Sequence, residues 1–331
     1  MKVAAMLAFD HPGGTVRVLG RGDSPEAARA AADRAERWLS DAVEPACPAA
    51  PAAGFNAEAP PEAYLDAVAD VVDRIASGQL YQANIARAWT GDLKDGADPF
   101  DVMLRLADRA AAYGAFWRLG DRAVVSNSPE LFLTFDPASR RVESRPIKGT
   151  RPRDPDPVRD AALAAELSAS LKDRAENLMI VDLMRNDLSR VAVPGSVSVS
   201  TLFEVERHPT VHHLVSTVSG LARAGVGAAD LLEATFPPGS ITGAPKHEAM
   251  KVIAGHEPPR GPWCGSLFHI EDDGRLTASV LIRTAAFERM DGRWRFRTLA
   301  GAGIVADSDP AAELAETDAK IRALREALTG S

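Results

Sequence analysis

The chain has 331 residues, 46% hydrophobic and 25% charged, the make-up of a water-soluble globular protein that can bury a sizeable core. Its 38 basic and 46 acidic residues leave a net charge of −8, which argues against a general nucleic-acid binder with a basic face. Cys47 and Cys264 are too few for a disulfide framework or a cysteine-rich zinc site, and no apolar run approaches the roughly 18 residues of a membrane span. The N-terminal apolar stretch is too short for a signal peptide, so a cytoplasmic setting is expected, with neither nucleic acid nor membrane as partner.

In chain order, residues 1–20 read as a short strand pair about Pro12-Gly13-Gly14, and residues 24–43 as an alanine-rich amphipathic helix. Pro45, Pro48, Pro51, Pro60 and Pro61 among alanines mark 44–61 as a linker. The expected division is a short N-terminal segment, 1–55, and a long domain, 56–331. Glu62 to Ser77 is predicted helical from Leu65, Val68, Val72 and Ile75. Strand-like runs follow at 81–90, 113–118, 122–126 and 131–135, then a loop carrying Arg145-Pro-Ile-Lys-Gly-Thr150. Residues 157–168 and 170–190 read as helices, the second capped by Ser170 with Asp173. Strands and helices alternate from 196 to 305, before a last helix over 309–328. Because strands often succeed one another with no helix between them, an α+β fold with antiparallel sheets is expected.

Four stretches concentrate polar chemistry. In Ser170–Leu188, apolar residues lie on more than one side, so the helix should be largely buried. A buried Glu176 then needs a cation or donors, which a salt bridge to Lys172 or Arg174 would also supply. In Ala300–Lys320, the bare backbone of Gly301 and Gly303 runs into a helix with Glu313, Glu316 and Lys320 on one face. A solvated face after a glycine turn fits the same spacing. Pro237–Lys246 offers Gly239, Ser240 and Thr242 before a helix, suited to anion binding or to a plain cap, and lacks the Gly-Lys-Ser/Thr ending of a phosphate loop. Lys148, between prolines and a glycine, reads as a surface basic group, an anion binder or a nucleophile. His212 and His213 lie in an apolar strand-like run, without zinc spacing.

Taken together and in this order, the stretches resemble the chorismate-utilising enzymes, which include anthranilate, aminodeoxychorismate, isochorismate and salicylate synthases. The resemblance runs from about Glu62 to Leu328. It implies two large antiparallel sheets packed between helices, with a chorismate-binding catalytic domain over 56–331. It also implies Mg²⁺ held by Glu176 and Glu316, with Glu313 in support. Glu130, in Ser128-Pro-Glu-Leu-Phe132, matches the general acid that protonates the departing C4 hydroxyl. Arg283 matches the arginine on the enolpyruvyl carboxylate, assisted by the amides at Gly301 and Gly303. Lys320, His213 and Ser240 also fall at active-site positions.

Two positions discriminate within the family. Gln82 stands where water-using members carry a lysine base, and glutamine is no base, so amination is favoured. Lys148 stands where anthranilate synthases have alanine and aminodeoxychorismate synthases have lysine. The implied reaction is amination of chorismate at C4 through Lys148, with ammonia from a separate glutamine amidotransferase subunit. Amination at C2, as in anthranilate synthase, or a non-catalytic binding protein are the alternatives. Trp263 replaces the family's usual tyrosine. The short N-terminal portion implies that the tryptophan-binding element of longer relatives is reduced or missing.

Overall fold

The computed structural model describes residues 2–208 and 210–330. It divides into two compact units, Met1–Cys47 and Pro48–Ser331. In the first, β1 (Ala5–Asp10) and β2 (Thr15–Gly20) form an antiparallel hairpin, paired from Ala5↔Gly20 to Asp10↔Thr15. Helix α1 (Pro25–Ser40) follows, its first turn capped by Ser24, and buries Ala31 and Ala35 against Ala5, Leu7 and Val18.

The proline-rich stretch is not a free linker along its whole length. Ala52 is buried, bridges Leu93, and donates its amide to Leu328 O at 2.9 Å, so the chain from Pro48 onward belongs to the second unit.

That unit begins with β3 (Asn56–Ala57), α2 (Pro61–Ala76), β4 (Gln82–Asp92) and α3 (Pro99–Leu106). Four strands follow, β5 (Tyr113–Leu119), β6 (Arg122–Ser128), β7 (Leu131–Asp136) and β8 (Arg141–Ser144), then β9 (Ile147–Pro152). Next come α4 (Pro157–Ala169), α5 (Leu171–Ser189), β10 (Ser198–Arg207), β11 (Val211–Leu221) and α6 (Ala228–Thr235). The rest is β12 (Gly243–Ala244), α7 (Lys246–His256), β13 (Ser266–Ile270), β14 (Leu276–Val280), β15 (Thr284–Met290), β16 (Arg293–Ile304) and α8 (Pro310–Thr329).

The strands make two seven-stranded antiparallel sheets. One runs β10-β11-β8-β7-β14-β13, with β9 also on β11; the other runs β12-β4-β16-β15-β6-β5, with β3 on β4. Helix α5 packs Ile180, Val181, Met184 and Leu188 against Phe132, Leu133, Val218 and Leu276 of the first sheet. Against the second, α8 buries Ile321, Leu324 and Leu328 beside Phe287 and Phe296, while Val68 and Val71 of α2 meet Ile85 and Ile304. The expected α+β fold, two large antiparallel sheets packed with helices, is the observed one.

Strand β8 was not among the strand-like runs read from the sequence, and two further elements differ from that reading. Helix α3 was not anticipated: it has 8 residues, too few to show a period, and a capping box between Asp98 and Asp101 marks its start. The segment read as a basic loop is strand β9, whose pattern is masked by Pro146, Gly149 and Pro152. Its strand character comes from pairing with β11, which local sequence does not display.

Candidate active site

Glu130 sits in the turn between β6 and β7 and is buried. Its backbone is held from both sides. Its amide donates to Ser128 Oγ at 3.2 Å, and its carbonyl accepts from Val280 N at 3.1 Å. Burial pushes its carboxyl up to about 6, although a hydrogen bond from Ser240 and the charges of Lys148, Lys320 and Arg283 pull the other way. A carboxyl of this kind is half protonated near pH 6, far above an exposed glutamate, which suits proton donation.

Lys148 reaches its place through a defect in strand pairing. Along β9 and β11 the register runs His213↔Thr150 and then skips to Val215↔Ile147, leaving Lys148 and Gly149 opposite Leu214. Such a bulge bends the strand and re-aims a side chain. Gly149 takes φ +82, where a Cβ would press on Leu167 and Asp173. The Lys148 ammonium arrives over Gly303 of β16, in the opposite sheet. A Cβ at Gly303 would lie 3.3 Å from Lys148 Nζ and would overlap Gln82 Nε2. Both polar atoms of Gln82 are buried without a hydrogen-bond partner, so this carboxamide is available to a ligand. Asn84, two residues along β4 and so on the same face, has its Oδ1 buried and unpaired beside Gly301.

Glu176 on α5 and Glu313 and Glu316 on α8 form an acidic group. Burial raises Glu176, with Glu316 adding to the effect and Lys148 and Lys172 opposing it. Glu313 is raised by burial and Glu316 against a hydrogen bond from Ser308, whose Oγ lies 2.7 Å away. Burial would raise Glu316 as well, but Lys320 at 2.5 Å brings it below the usual glutamate value. Lys320 also donates to Gly301 O at 2.9 Å, tying α8 to β16. Neither local partner suggested for Glu176 makes a direct ion pair with it: Lys172 approaches Glu313 at 3.9 Å, and Arg174 lies over the Phe203 ring. Among the described residues, no three His, Cys, Asp or Glu side chains are close enough together to form a ready metal cage.

Arg283 has φ +51, a conformation that costs an L-residue on the order of 1 kcal/mol and that sequence reading had no means of finding. It is partly buried, and desolvation lowers its pKa while Glu130 opposes that. His213 faces the same region. Burial, with Arg283 and His208 nearby, holds it down at about 4, so it is neutral at pH 7, with Nδ1 3.0 Å from Thr150 Oγ1.

The chain matches the family described as chorismate binding enzyme over residues 1–326. It is a member of that family. Among curated proteins it is 46% identical over 263 residues to aminodeoxychorismate synthase component 1 of Klebsiella aerogenes, covering 78% of this chain and 56% of that protein. It is 38% identical over 328 residues to anthranilate synthase component 1 of Thermus thermophilus, covering 98% of this chain and 69% of that one. The chain therefore spans little more than half the length of the aminodeoxychorismate synthase relative. Among solved structures, anthranilate synthase component I of Streptococcus pneumoniae superposes with a TM-score of 0.83 at 29% identity, covering 96% of this chain and 71% of that one. A menaquinone-specific isochorismate synthase of Escherichia coli shares the fold, with a TM-score of 0.73 at 22% identity, covering 95% of this chain and 72% of that chain.

Within this chorismate-binding fold, the side chains singled out in the sequence converge from both sheets and both flanking helices. Trp263 sits in the loop before β13. Its indole is buried, with Nε1 unpaired and the Arg260 guanidinium 5.0 Å from the ring centre. Sequence reading missed Asn84, Thr150, Lys172 and Arg260 as parts of the site. Asn84 could have been found by period-2 alternation from Gln82; Arg260 showed only a local pair with Glu257, and its bonds to Ile241 and Asn84 lie in distant segments.

Proposed function

We propose that this chain is the aminating component of an aminodeoxychorismate synthase, converting chorismate and ammonia to 4-amino-4-deoxychorismate. The observation that carries this reading is the meeting of Lys148 Nζ and the unpaired Gln82 carboxamide over Gly303. A lysine so placed can act as a nucleophile, and a glutamine beside it cannot activate water. The uncharged Lys148 amine attacks C2 of chorismate as Glu130 gives its proton to the C4 hydroxyl, which leaves as water. Ammonia then adds at C4 and displaces the lysine from C2, regenerating the free amine. Arg283 and the amides about Gly301 and Gly303 hold the enolpyruvyl carboxylate. Lys320, His213, Ser240 and Trp263 line the remainder, with the Trp263 indole as a donor where a tyrosine is usual.

The donors fit Mg²⁺: hard carboxylate oxygens, two of them with raised pKa values, in a number that leaves positions for water and substrate. Glu176 and Glu316 would hold the ion, with Glu313 in support. When bound, it would anchor the ring carboxylate of chorismate.

Neither cysteine of this chain suits glutamine hydrolysis. Cys264 is buried and its thiol pKa is strongly raised by desolvation, while Cys47 lies in the other compact unit. A separate glutamine amidotransferase subunit is therefore the proposed nitrogen source, consistent with "component 1" in the relatives' names.

The long alignments with anthranilate synthases favour a second reading, amination at C2. Incubation with chorismate, Mg²⁺ and ammonium, followed by the lyase that forms 4-aminobenzoate, separates the two. The C4 reading expects 4-aminobenzoate; anthranilate made without the lyase would refute it.

A further inference from the structure

Outside the residues that would touch substrate, the most heavily bonded partly buried charge in this region is Arg260, in the segment between α7 and β13. Its Nη1 donates to Ile241 O at 2.8 Å and its Nη2 to Asn84 O at 2.6 Å. Its Nε and Nη2 bind Glu257 at 2.7 and 2.9 Å. Glu257 accepts in turn from Ala86 N at 2.7 Å, and the guanidinium lies over Trp263. One planar fork thus joins β4, the short 3-10 turn Gly239–Ile241, and the loop holding Trp263. Each of these segments carries a group assigned to the site: Gln82, Ser240 and Trp263.

We propose that Arg260 is a positioning residue for the proton donor, fixing the 3-10 turn so that the Ser240 hydroxyl stays on Glu130. It acts through Ile241 and Ser240 and does not touch substrate. Lysine cannot replace it, because one ammonium cannot span Ile241, Asn84 and Glu257 in a plane. The role of Glu130 as acid rests on the amination reading; the coupling of Arg260 to Glu130 does not.

The groups acting on Glu130 are Ser240 from the turn, Lys148 from β9, Lys320 from α8 and Arg283 from the β14–β15 connection, with Cys264 close by. Ser240 is tied through its own segment to Arg260; Cys264, which Arg260 also bonds, has a strongly raised thiol pKa and carries no charge near the Glu130 midpoint. The Ser240 bond favours the ionised carboxyl, so losing it should move the Glu130 midpoint upward.

The test is the carboxyl titration of ligand-free protein, followed by isotope-edited infrared spectroscopy and assigned with Glu130→Gln. Ser240→Ala should raise the midpoint from about 6, Arg260→Lys should raise it in the same direction, and the double variant should go no further than Ser240→Ala. Glu257→Gln, which keeps an acceptor for Ala86 N and only loosens the fork, should give a smaller rise if Arg260→Lys does not fold. A midpoint unchanged in Arg260→Lys or, if that variant is unfolded, in Glu257→Gln, or a double variant with additive shifts, overturns the proposal. No turnover is needed, so a product other than 4-amino-4-deoxychorismate would sink the amination reading and leave this result standing.

Discussion

At Glu130, burial keeps a proton on the carboxyl up to about pH 6, where an exposed glutamate is ionised. The folded chain holds that proton more tightly than the unfolded chain. Its contribution is therefore full below the ordinary glutamate value of 4.5 and is lost as pH rises through about 6. At pH 8 the ionised, buried group costs about 2 kcal/mol. Glu130→Gln should accordingly raise the thermal midpoint at pH 8 but not at pH 4, while lowering kcat by about 10²–10⁴. Calorimetry at the two pH values and a chorismate-consumption assay check both halves. Lys148→Ala should abolish C4 amination while leaving chorismate binding measurable by titration calorimetry; retained 4-aminobenzoate formation in the coupled assay would remove the lysine from the reaction.

At the scale of elements, two devices aim the site. The first is the bulge between β9 and β11. Gly149→Ala would meet Leu167 and Asp173 at a positive φ, and should cost about 1–3 kcal/mol and turn Lys148 away from Gly303. The expected result is a kcat loss larger than any change in KM; a variant with wild-type kcat would show that the bulge does not direct the lysine. The second is α5. Ser170 Oγ accepts from Asp173 N at 3.2 Å at its start. Asn177, fully buried, accepts from Ser216 Oγ at 2.5 Å and donates to Leu214 O at 3.3 Å, which fixes the helix rotation next to Glu176. Ser170→Ala should cost about 1 kcal/mol in denaturant unfolding, with little effect on turnover at saturating Mg²⁺. Helix α5 and its cap were legible in the sequence from the Ser170–Asp173 spacing. Strand β9 was not, because proline and glycine obscure a strand whose pairing partner lies about 60 residues away.

For the whole molecule, the site is a product of two sheets and two helices: Lys148 comes from one sheet, Gln82 and Gly303 from the other, Glu176 from α5 and Glu316 from α8. The isolated chain should aminate chorismate with ammonium but not with glutamine, and addition of a cognate amidotransferase should confer glutamine use. Chelation with EDTA should abolish turnover, and Mg²⁺ should restore it, with Glu316→Ala needing more Mg²⁺ for half-activity. Activity unaffected by EDTA would remove the metal from the proposal.

The sequence by itself determined most helices and strands, with α3, β8 and β9 among the exceptions, the antiparallel α+β class and the residue types of the site, because periodicity, caps and chemically distinctive motifs are local properties. Only the tertiary structure decided how those residues act on one another: that Lys172 pairs with Glu313 while its charge also reaches Glu176, that the Gln82 carboxamide is left unpaired, and that Glu130 holds its proton to about 6. Burial and electrostatic coupling depend on distance in space, and residues as far apart in sequence as Ala52 and Leu328 are in contact here.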